Sequence, residues 1–230
     1  NILKWSPIIE RPWETLCSIA AQYGHKNILE YAYKQNLPWD VDTFSSAADG
    51  GHFKLIKWLH KKGCPWNEAT CNNAAGAGRL DILLWLYNKG CPWSEWTCYY
   101  AAANKYLYIL AWLHNMGCPW DETTCSVAAA NGHLDILKFV RASYHGDNRC
   151  PWNEKTCAYA AAGGYLHILK WAHKNGCPWD EETCTNAVSN GHFNILRYAH
   201  DNGCPWDKQE CIDLASFFTV PAIIEWLESI

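Results

Sequence analysis

The sequence lacks the basic charge and the long apolar runs that would direct it to nucleic acid or into a membrane. It carries 19 Lys and Arg against 23 Asp and Glu, for a net charge of −4, and has no basic run longer than Lys61-Lys62. We therefore expect no basic face and no nucleic-acid partner. The longest weakly polar run, residues 214–224, contains Pro221 and is too short to span a bilayer. With no signal-peptide pattern at the N-terminus, the sequence predicts no membrane contact and a cytoplasmic location.

Recognisable catalytic motifs are also missing. The sequence shows no glycine-rich phosphate loop, no pair of carboxylates set apart for acid–base work and no nucleophile beside a base. We therefore predict that the protein is not an enzyme and that it carries no cofactor.

What the sequence does contain is a repeat. The dipeptide Pro-Trp recurs eight times, at steps of 27 residues except for one step of 26 and one of 32. A fixed period of this length predicts an array in which each unit packs on its neighbours. The seven tryptophans from the second recurrence onward are predicted to be structural, and they are Trp39, Trp66, Trp93, Trp120, Trp152, Trp179 and Trp206.

Each unit reads as two short helices. After Pro-Trp come a polar residue and an acid, as in Asn67-Glu68, which is typical of a helix N-cap and first turn. A glycine such as Gly78 is placed to end this helix, and a second, largely apolar helix then runs to Gly90. The predicted fold is all-α, a solenoid of about eight stacked two-helix repeats, because helices of roughly nine residues need neighbours to be stable.

We expect residues 1–230 to form one array. Asn1-Ile2-Leu3-Lys4-Trp5 matches residues 194–198 in frame, and Trp226 occupies the same repeat position as Trp5, so both ends are predicted to fall within a repeat of a longer protein. Residues 142–149 contain an insertion, because the repeat is five residues longer here than the 27-residue pattern allows. The insertion is read as either a functional loop or a tolerated surface loop.

The motif Ala-Ala-x-x-Gly-His-Leu-x-Ile-Leu, as in residues 128–137, resembles the ankyrin repeat. The unit is about six residues shorter than an ankyrin repeat, and Cys-Pro-Trp stands where that family has its β-hairpin finger. This short form resembles the ankyrin-like repeats of giant DNA viruses that infect amoebae. The resemblance implies a solenoid without β-hairpin fingers and a protein-binding role.

Thirteen cysteines leave three interpretations open. They are small hydrophobic residues of the core, disulfide partners such as Cys64 and Cys71, or metal ligands. Core packing is favoured, because Leu37 and Phe44 replace both cysteines in the second unit and because the spacing is wider than in a zinc knuckle. No metal site is therefore predicted.

The fourth unit is the most unusual in its aromatic residues. Fourteen of the fifteen tryptophans occupy two repeat positions, whereas Trp96 occupies a position that holds Ala69 in the preceding unit. Aromatic side chains at a surface are typical anchors for a protein partner. The predicted partner-binding residues are Trp96, Tyr99, Tyr100, Asn104, Tyr106 and Tyr108, with packing inside the stack as the alternative for part of this set.

These patterns together favour a protein–protein interaction scaffold, a viral protein that binds a host or viral partner in the host cytoplasm. One alternative is a structural subunit of a virion or larger assembly, which would self-associate through its repeat ends. The other is a metal- or redox-responsive module, which would bind zinc or show fewer than thirteen free thiols.

Overall fold

The computed structural model describes residues 12–142 and 148–230. Sixteen α-helices occur in these residues, and the same residues contain no β-strand. Helices alternate between a first and a second helix of each repeat, which confirms the predicted all-α fold of stacked helical repeats.

The chain falls into two compact units, Asn1–Pro119 and Trp120–Ile230. The helices of the first unit are α1 (Pro12–Gln22), α2 (Lys26–Lys34), α3 (Val41–Asp49), α4 (Phe53–Lys61), α5 (Glu68–Gly76), α6 (Leu80–Asn88), α7 (Glu95–Ala103) and α8 (Leu107–Asn115). Those of the second unit are α9 (Glu122–Ala130), α10 (Leu134–Val140), α11 (Glu154–Ala162), α12 (Leu166–Lys174), α13 (Glu181–Ser189), α14 (Phe193–Asp201), α15 (Lys208–Phe217) and α16 (Pro221–Ser229).

The first helix of a repeat begins at a side-chain cap, as the sequence predicts. The Asn67 side-chain oxygen accepts a hydrogen bond from the Ala69 amide at 3.1 Å, and Asp121 accepts one from the Thr123 amide at 3.0 Å. In the fourth repeat the Ser94 amide instead donates to the Thr97 hydroxyl at 3.3 Å. Such a cap typically contributes about 1 kcal/mol to helix stability.

Residues with positive φ separate the helices. Eleven glycines have φ between 70° and 80°, the left-handed region that glycine enters without strain. Three other residues take the same role in individual repeats: Asn36 (φ 53°), Lys105 (φ 63°) and Thr219 (φ 54°). The glycine prediction is therefore confirmed for most repeats, while Lys105 replaces the glycine in the fourth.

Gly78 and Gly90 offer a matched test of this conformation. Gly78→Ala is expected to lower the free energy of unfolding by about 2–3 kcal/mol, because a left-handed φ costs about 1–2 kcal/mol and a Cβ there would lie 2.7 Å from the Tyr106 ring. Gly90→Ala meets no atom within 4 Å and is expected to cost only the φ strain, about 1–2 kcal/mol. Urea unfolding followed by circular dichroism measures both, and equal losses would contradict a role for the ring contact.

The core lies between the two helical layers. First helices pack on one another through fully buried alanines such as Ala74 and Ala75, whose small side chains let the helices approach closely. Second helices contribute larger buried residues, such as Ile82, Leu83 and Leu86 of α6. No helix in the described part of the chain combines the length and hydrophobicity that crossing a bilayer requires.

The predicted insertion lies mostly outside the described residues, since 143–147 are not among them. On either side of it the repeat closes in the usual way, because the Cys150 amide donates to the Val140 carbonyl at 3.0 Å, as the Cys64 amide does to the Leu59 carbonyl at 3.1 Å. The Arg141 guanidinium donates to the Cys150 carbonyl at 2.6 Å and lies 4.0 Å from the centre of the Trp152 ring. The extra residues therefore leave the packing between repeats intact.

Candidate functional site

The tryptophans of the Pro-Trp dipeptides are half-buried and contact a second aromatic residue nineteen positions later in the same repeat. The ring centroids lie 5.9–6.4 Å apart with strongly inclined planes, an arrangement that aromatic pairs favour. The pairs are Trp39–Trp58, Trp66–Trp85, Trp93–Trp112, Trp120–Phe139, Trp152–Trp171 and Trp179–Tyr198. Trp206, which is also half-buried, instead lies 5.2 Å from His200. These side chains contact residues of the fold itself, in keeping with a structural role.

Trp96 differs, because it belongs to an exposed aromatic surface on α7. The Trp96 and Tyr99 rings meet edge to face at 5.2 Å, and the Tyr99 and Tyr100 rings do so at 5.4 Å. Trp96 is 45% exposed and Tyr100 is 39% exposed, while Tyr99 is half-buried between them. We call Trp96, Tyr99 and Tyr100 the aromatic face.

The helix that packs beside α7 shows that the fold does not require these rings. Helix α5 begins Glu-Ala-Thr-Cys-Asn-Asn-Ala-Ala and α7 begins Glu-Trp-Thr-Cys-Tyr-Tyr-Ala-Ala, so the two differ only at the aromatic positions. Alanine and asparagine at these positions support the same buried residues, Cys71 and Cys98 among them. The aromatic face is therefore an addition to the scaffold.

Of the other three predicted binding residues, Asn104 bonds within the end of its own helix, while Tyr106 and Tyr108 contact Gly78, which follows α5. The Asn104 amide donates to the Tyr100 carbonyl at 3.1 Å, and the Tyr108 hydroxyl donates to the Gly78 carbonyl at 2.7 Å. The Tyr106 ring covers Gly78. Tyr106 and Tyr108 thus contribute to packing between repeats, which was the alternative interpretation for part of the set, although Tyr108 remains 52% exposed.

The cysteines of successive repeats lie beside one another, rather than the two cysteines of one repeat. Cys71 is within hydrogen-bonding reach of Cys91, and Cys157 and Cys184 stand in the same relation to Cys177 and Cys204. The sequence left open a disulfide between Cys64 and Cys71 of one repeat. The thiol–thiol contacts seen in the structure instead join neighbouring repeats. Leu37 and Phe44, which replace both cysteines of the second unit, consequently occupy positions from two different pairs.

Each thiol of the Cys-Pro-Trp motif also joins its repeat to the one before. Six of these cysteines donate an S–H hydrogen bond to the carbonyl of the preceding repeat's N-cap residue, at 3.0–3.6 Å. The donors are Cys64, Cys91, Cys118, Cys150, Cys177 and Cys204, and the respective acceptors are Asp40, Asn67, Ser94, Asp121, Asn153 and Asp180. The motif therefore has a structural function that a simple hydrophobic residue would not supply.

Burial makes these thiols poor nucleophiles. All thirteen cysteines lie in the described part of the chain, where each is buried and none forms a disulfide. Desolvation raises the pKa of Cys64 from its ordinary value of 9.0 to about 12 and that of Cys211 to about 11. The hydrogen bond with Cys91, followed by desolvation, raises the pKa of Cys71. Thiols held in the neutral form do not favour nucleophilic chemistry.

Two of the histidines that follow glycine bond to the backbone of the preceding repeat. The His52 Nε2 atom lies 2.9 Å from the Gln22 carbonyl, and the His192 Nε2 atom lies 3.2 Å from the Ala162 carbonyl. Over residues 12–142 and 148–230, no three His, Cys, Asp or Glu side chains form a group fitted to a metal ion.

Sequence reasoning missed a group of lysines on α2 and α4. The two helices and the residue that ends α4 carry six lysines and one carboxylate, Glu30. The expectation of no basic face is therefore wrong for this part of the chain. The signal was the absence of any acid other than Glu30 from both helices, which whole-chain charge conceals.

No protein-family model and no curated protein sequence matches the chain.

Proposed function

We propose that the chain is a non-enzymatic protein-binding scaffold and that the aromatic face on α7 is the centre of its binding surface. The observation that carries this proposal is the exposure of Trp96, the one tryptophan outside the two repeat positions that the fold uses. Trp and Tyr are enriched among the residues that contribute most of the energy of protein interfaces.

The local geometry supports recognition of a protein. Edge-to-face contacts hold Tyr99 between Trp96 and Tyr100, so little side-chain freedom remains to be lost on binding. Small residues, Ala69 and Asn73, occupy the positions on α5 equivalent to Trp96 and Tyr100. Tyr hydroxyls add hydrogen-bonding capacity to an otherwise apolar surface.

The resemblance to the ankyrin-like repeats of giant DNA viruses extends this proposal. It assigns the chain to a viral protein of the host-cell cytoplasm whose partner is a host or viral protein. This part of the proposal depends on the Cys-Pro-Trp repeat form alone.

A second candidate function is that of a subunit in a larger assembly. It is favoured by two apolar residues at the end of α15, where Phe217 is 79% exposed and Phe218 is 45% exposed, with their rings 5.0 Å apart. Exposed apolar residues at the last repeat would suit contact with another copy.

The binding function is tested by giving α7 the surface of α5. The variant Trp96→Ala, Tyr99→Asn, Tyr100→Asn reproduces a helix that the scaffold already contains, so its circular dichroism and stability are expected to match the wild type. Immobilised wild type and variant are each exposed to amoebal lysate, and captured proteins are quantified by mass spectrometry. A partner is then purified, and its affinity is expected to fall about thirtyfold or more in the variant, since each aromatic anchor is typically worth about 2 kcal/mol.

The matched control is Tyr159→Asn on α11, which removes an equally exposed tyrosine from the repeat position of Tyr100. It is expected to retain the partner. Equal loss of the partner in both variants, or equal retention, would reject the aromatic face as the binding centre. If the wild type and both variants each recover only further copies of the chain itself, the assembly subunit is favoured instead.

A further inference from the structure

The six lysines that sequence analysis missed form a surface of their own, which we call the lysine patch. Only one acid, Glu30, lies in the same two helices, so the patch has a net charge of +5 with His60 counted neutral. It consists of Lys26, Lys34, Lys54, Lys57, Lys61 and Lys62.

Within the first compact unit, Asn1–Pro119, the lysines of the patch lie on different helices from the helical acids other than Glu30. The first helices of the unit, α1, α3, α5 and α7, contain acids and no Lys or Arg. The second helices α6 and α8 contain no lysine, and Asp81 lies on α6. Among the helices of this unit, lysine thus occurs only in α2 and α4, while Arg79, Lys89 and Lys105 lie between helices. The aromatic face lies on the other helical layer.

An open groove of about 250 Å³ lies within the patch, lined by Glu30, Tyr33, Lys34, Trp58 and Lys62. Lys26 is hydrogen-bonded to Glu30 at 2.7 Å and lowers its pKa, with smaller effects in the same direction from Lys34 and Lys62. Three ammonium groups therefore surround this one carboxylate.

Most of the positive charge is not neutralised by the fold. Among the described residues, Lys26 is the one member of the patch that takes part in an ion pair. The Lys62 ammonium lies 4.5 Å from the centre of the Tyr33 ring, and that of Lys57 lies 4.1 Å from the centre of the Phe53 ring. Such cation–π contacts position a charge without cancelling it.

The aromatic residues in the patch do not offer the stacking surface that single-stranded nucleic acid needs. Tyr33 is already stacked on Trp39 at 5.4 Å, and Trp58 meets Trp39 edge to face at 5.9 Å. Lysine ammonium groups also act as separate point charges, each able to pair with one carboxylate. A short segment rich in Glu or Asp fits both the extent and the chemistry of the patch.

We propose that the lysine patch binds a carboxylate-rich peptide segment of a partner protein, with acidic side chains pairing with Lys34 and Lys62 in the groove and with the exposed lysines along α4. The patch is independent of the aromatic face, and its test uses neither Trp96 nor the unidentified partner of that face.

The experiment measures fluorescence anisotropy of a labelled peptide of alternating Glu and Gly, titrated with the full 230-residue chain at low and physiological salt. A Gln–Gly peptide of the same length shows whether charge is recognised, and an oligothymidine of the same formal charge represents nucleic acid. Two variants lose four positive charges each, one inside the patch and one outside it. The patch variant carries Gln at Lys34, Lys57, Lys61 and Lys62, and the control variant carries Gln at the exposed lysines Lys89, Lys138, Lys170 and Lys174.

Wild type is expected to bind the Glu–Gly peptide and not the Gln–Gly peptide, with an affinity that falls as salt rises. The patch variant is expected to bind about tenfold more weakly or worse, and the control variant within about twofold of the wild type. Equal weakening in both variants, the absence of binding to the Glu–Gly peptide at low salt, or tighter binding of oligothymidine would each overturn the proposal. The last result would assign the patch to nucleic acid.

Discussion

Replacement of Leu83 by Ala is expected to lower the free energy of unfolding by about 2–5 kcal/mol, the range for a buried leucine whose cavity cannot collapse. Leu83 is 1% exposed and lies among the buried residues of α6. In a repeat array each unit depends on its neighbours, so the loss is expected to affect the surrounding repeats as well as α6. Urea unfolding, followed by circular dichroism, measures the change.

Leu84, the next residue on the same helix, is the control. It is 40% exposed, and Leu84→Ala removes the same atoms without opening a buried cavity. The expected loss is below about 1 kcal/mol. A loss at position 84 as large as that at position 83 would show that the two helical layers are not packed as described.

The thiols are expected to resist alkylation in the folded protein by a large factor. With the pKa of Cys64 raised from 9.0 to about 12, its thiolate fraction at pH 8 is about a thousandfold below that of an unfolded cysteine. The rate of native-state labelling should therefore rise with pH throughout the range below 12. Iodoacetamide labelling followed by mass spectrometry, with and without urea, counts the reactive thiols.

In urea all thirteen cysteines are expected to react. Rapid labelling of several cysteines at pH 8, with the circular dichroism unchanged, would contradict their burial. A count below thirteen in urea without reductant would reveal disulfides and would favour the redox-responsive alternative.

The repeat and its two helices could be predicted because they depend on local chemistry that recurs. The cap at Asn67, the left-handed glycine at Gly78 and the proline that opens α16 each act within a few residues of their own position. Recurrence at a fixed spacing then indicates which residues occupy equivalent places. For these reasons the helix bounds follow the sequence closely.

The contacts between repeats could not be predicted in the same way. Periodicity shows that Cys71 and Cys98 are equivalent, but it does not show that Cys71 meets Cys91, because that contact depends on how far one repeat is rotated on the next. Lys62 is far from Glu30 in sequence and lies near it only because α2 and α4 belong to neighbouring repeats, whereas Lys26 lies one helical turn from Glu30 on α2 itself.

The candidate site was predictable in part. Trp96 stood out as an exception to the repeat, and its exposure agrees with that prediction. Tyr106 and Tyr108 were equally unusual in sequence, yet the Tyr106 ring fills the space that Gly78 leaves open in the preceding repeat and the Tyr108 hydroxyl bonds the Gly78 carbonyl. An aromatic residue that replaces a polar one has the same sequence signature whether it meets a partner or a neighbouring glycine.

The thiol-to-carbonyl bonds have a consequence for how such a chain can change its length. The Cys91 thiol reaches 24 residues back to Asn67, and His52 reaches 30 residues back to Gln22, so each of these bonds joins one repeat to the repeat before it. A duplicated 27-residue segment would bring its own donor and present its own acceptor, and a deleted one would remove both. Copy number can therefore change without depriving one of these thiols of its acceptor, while each new copy is free to acquire its own surface.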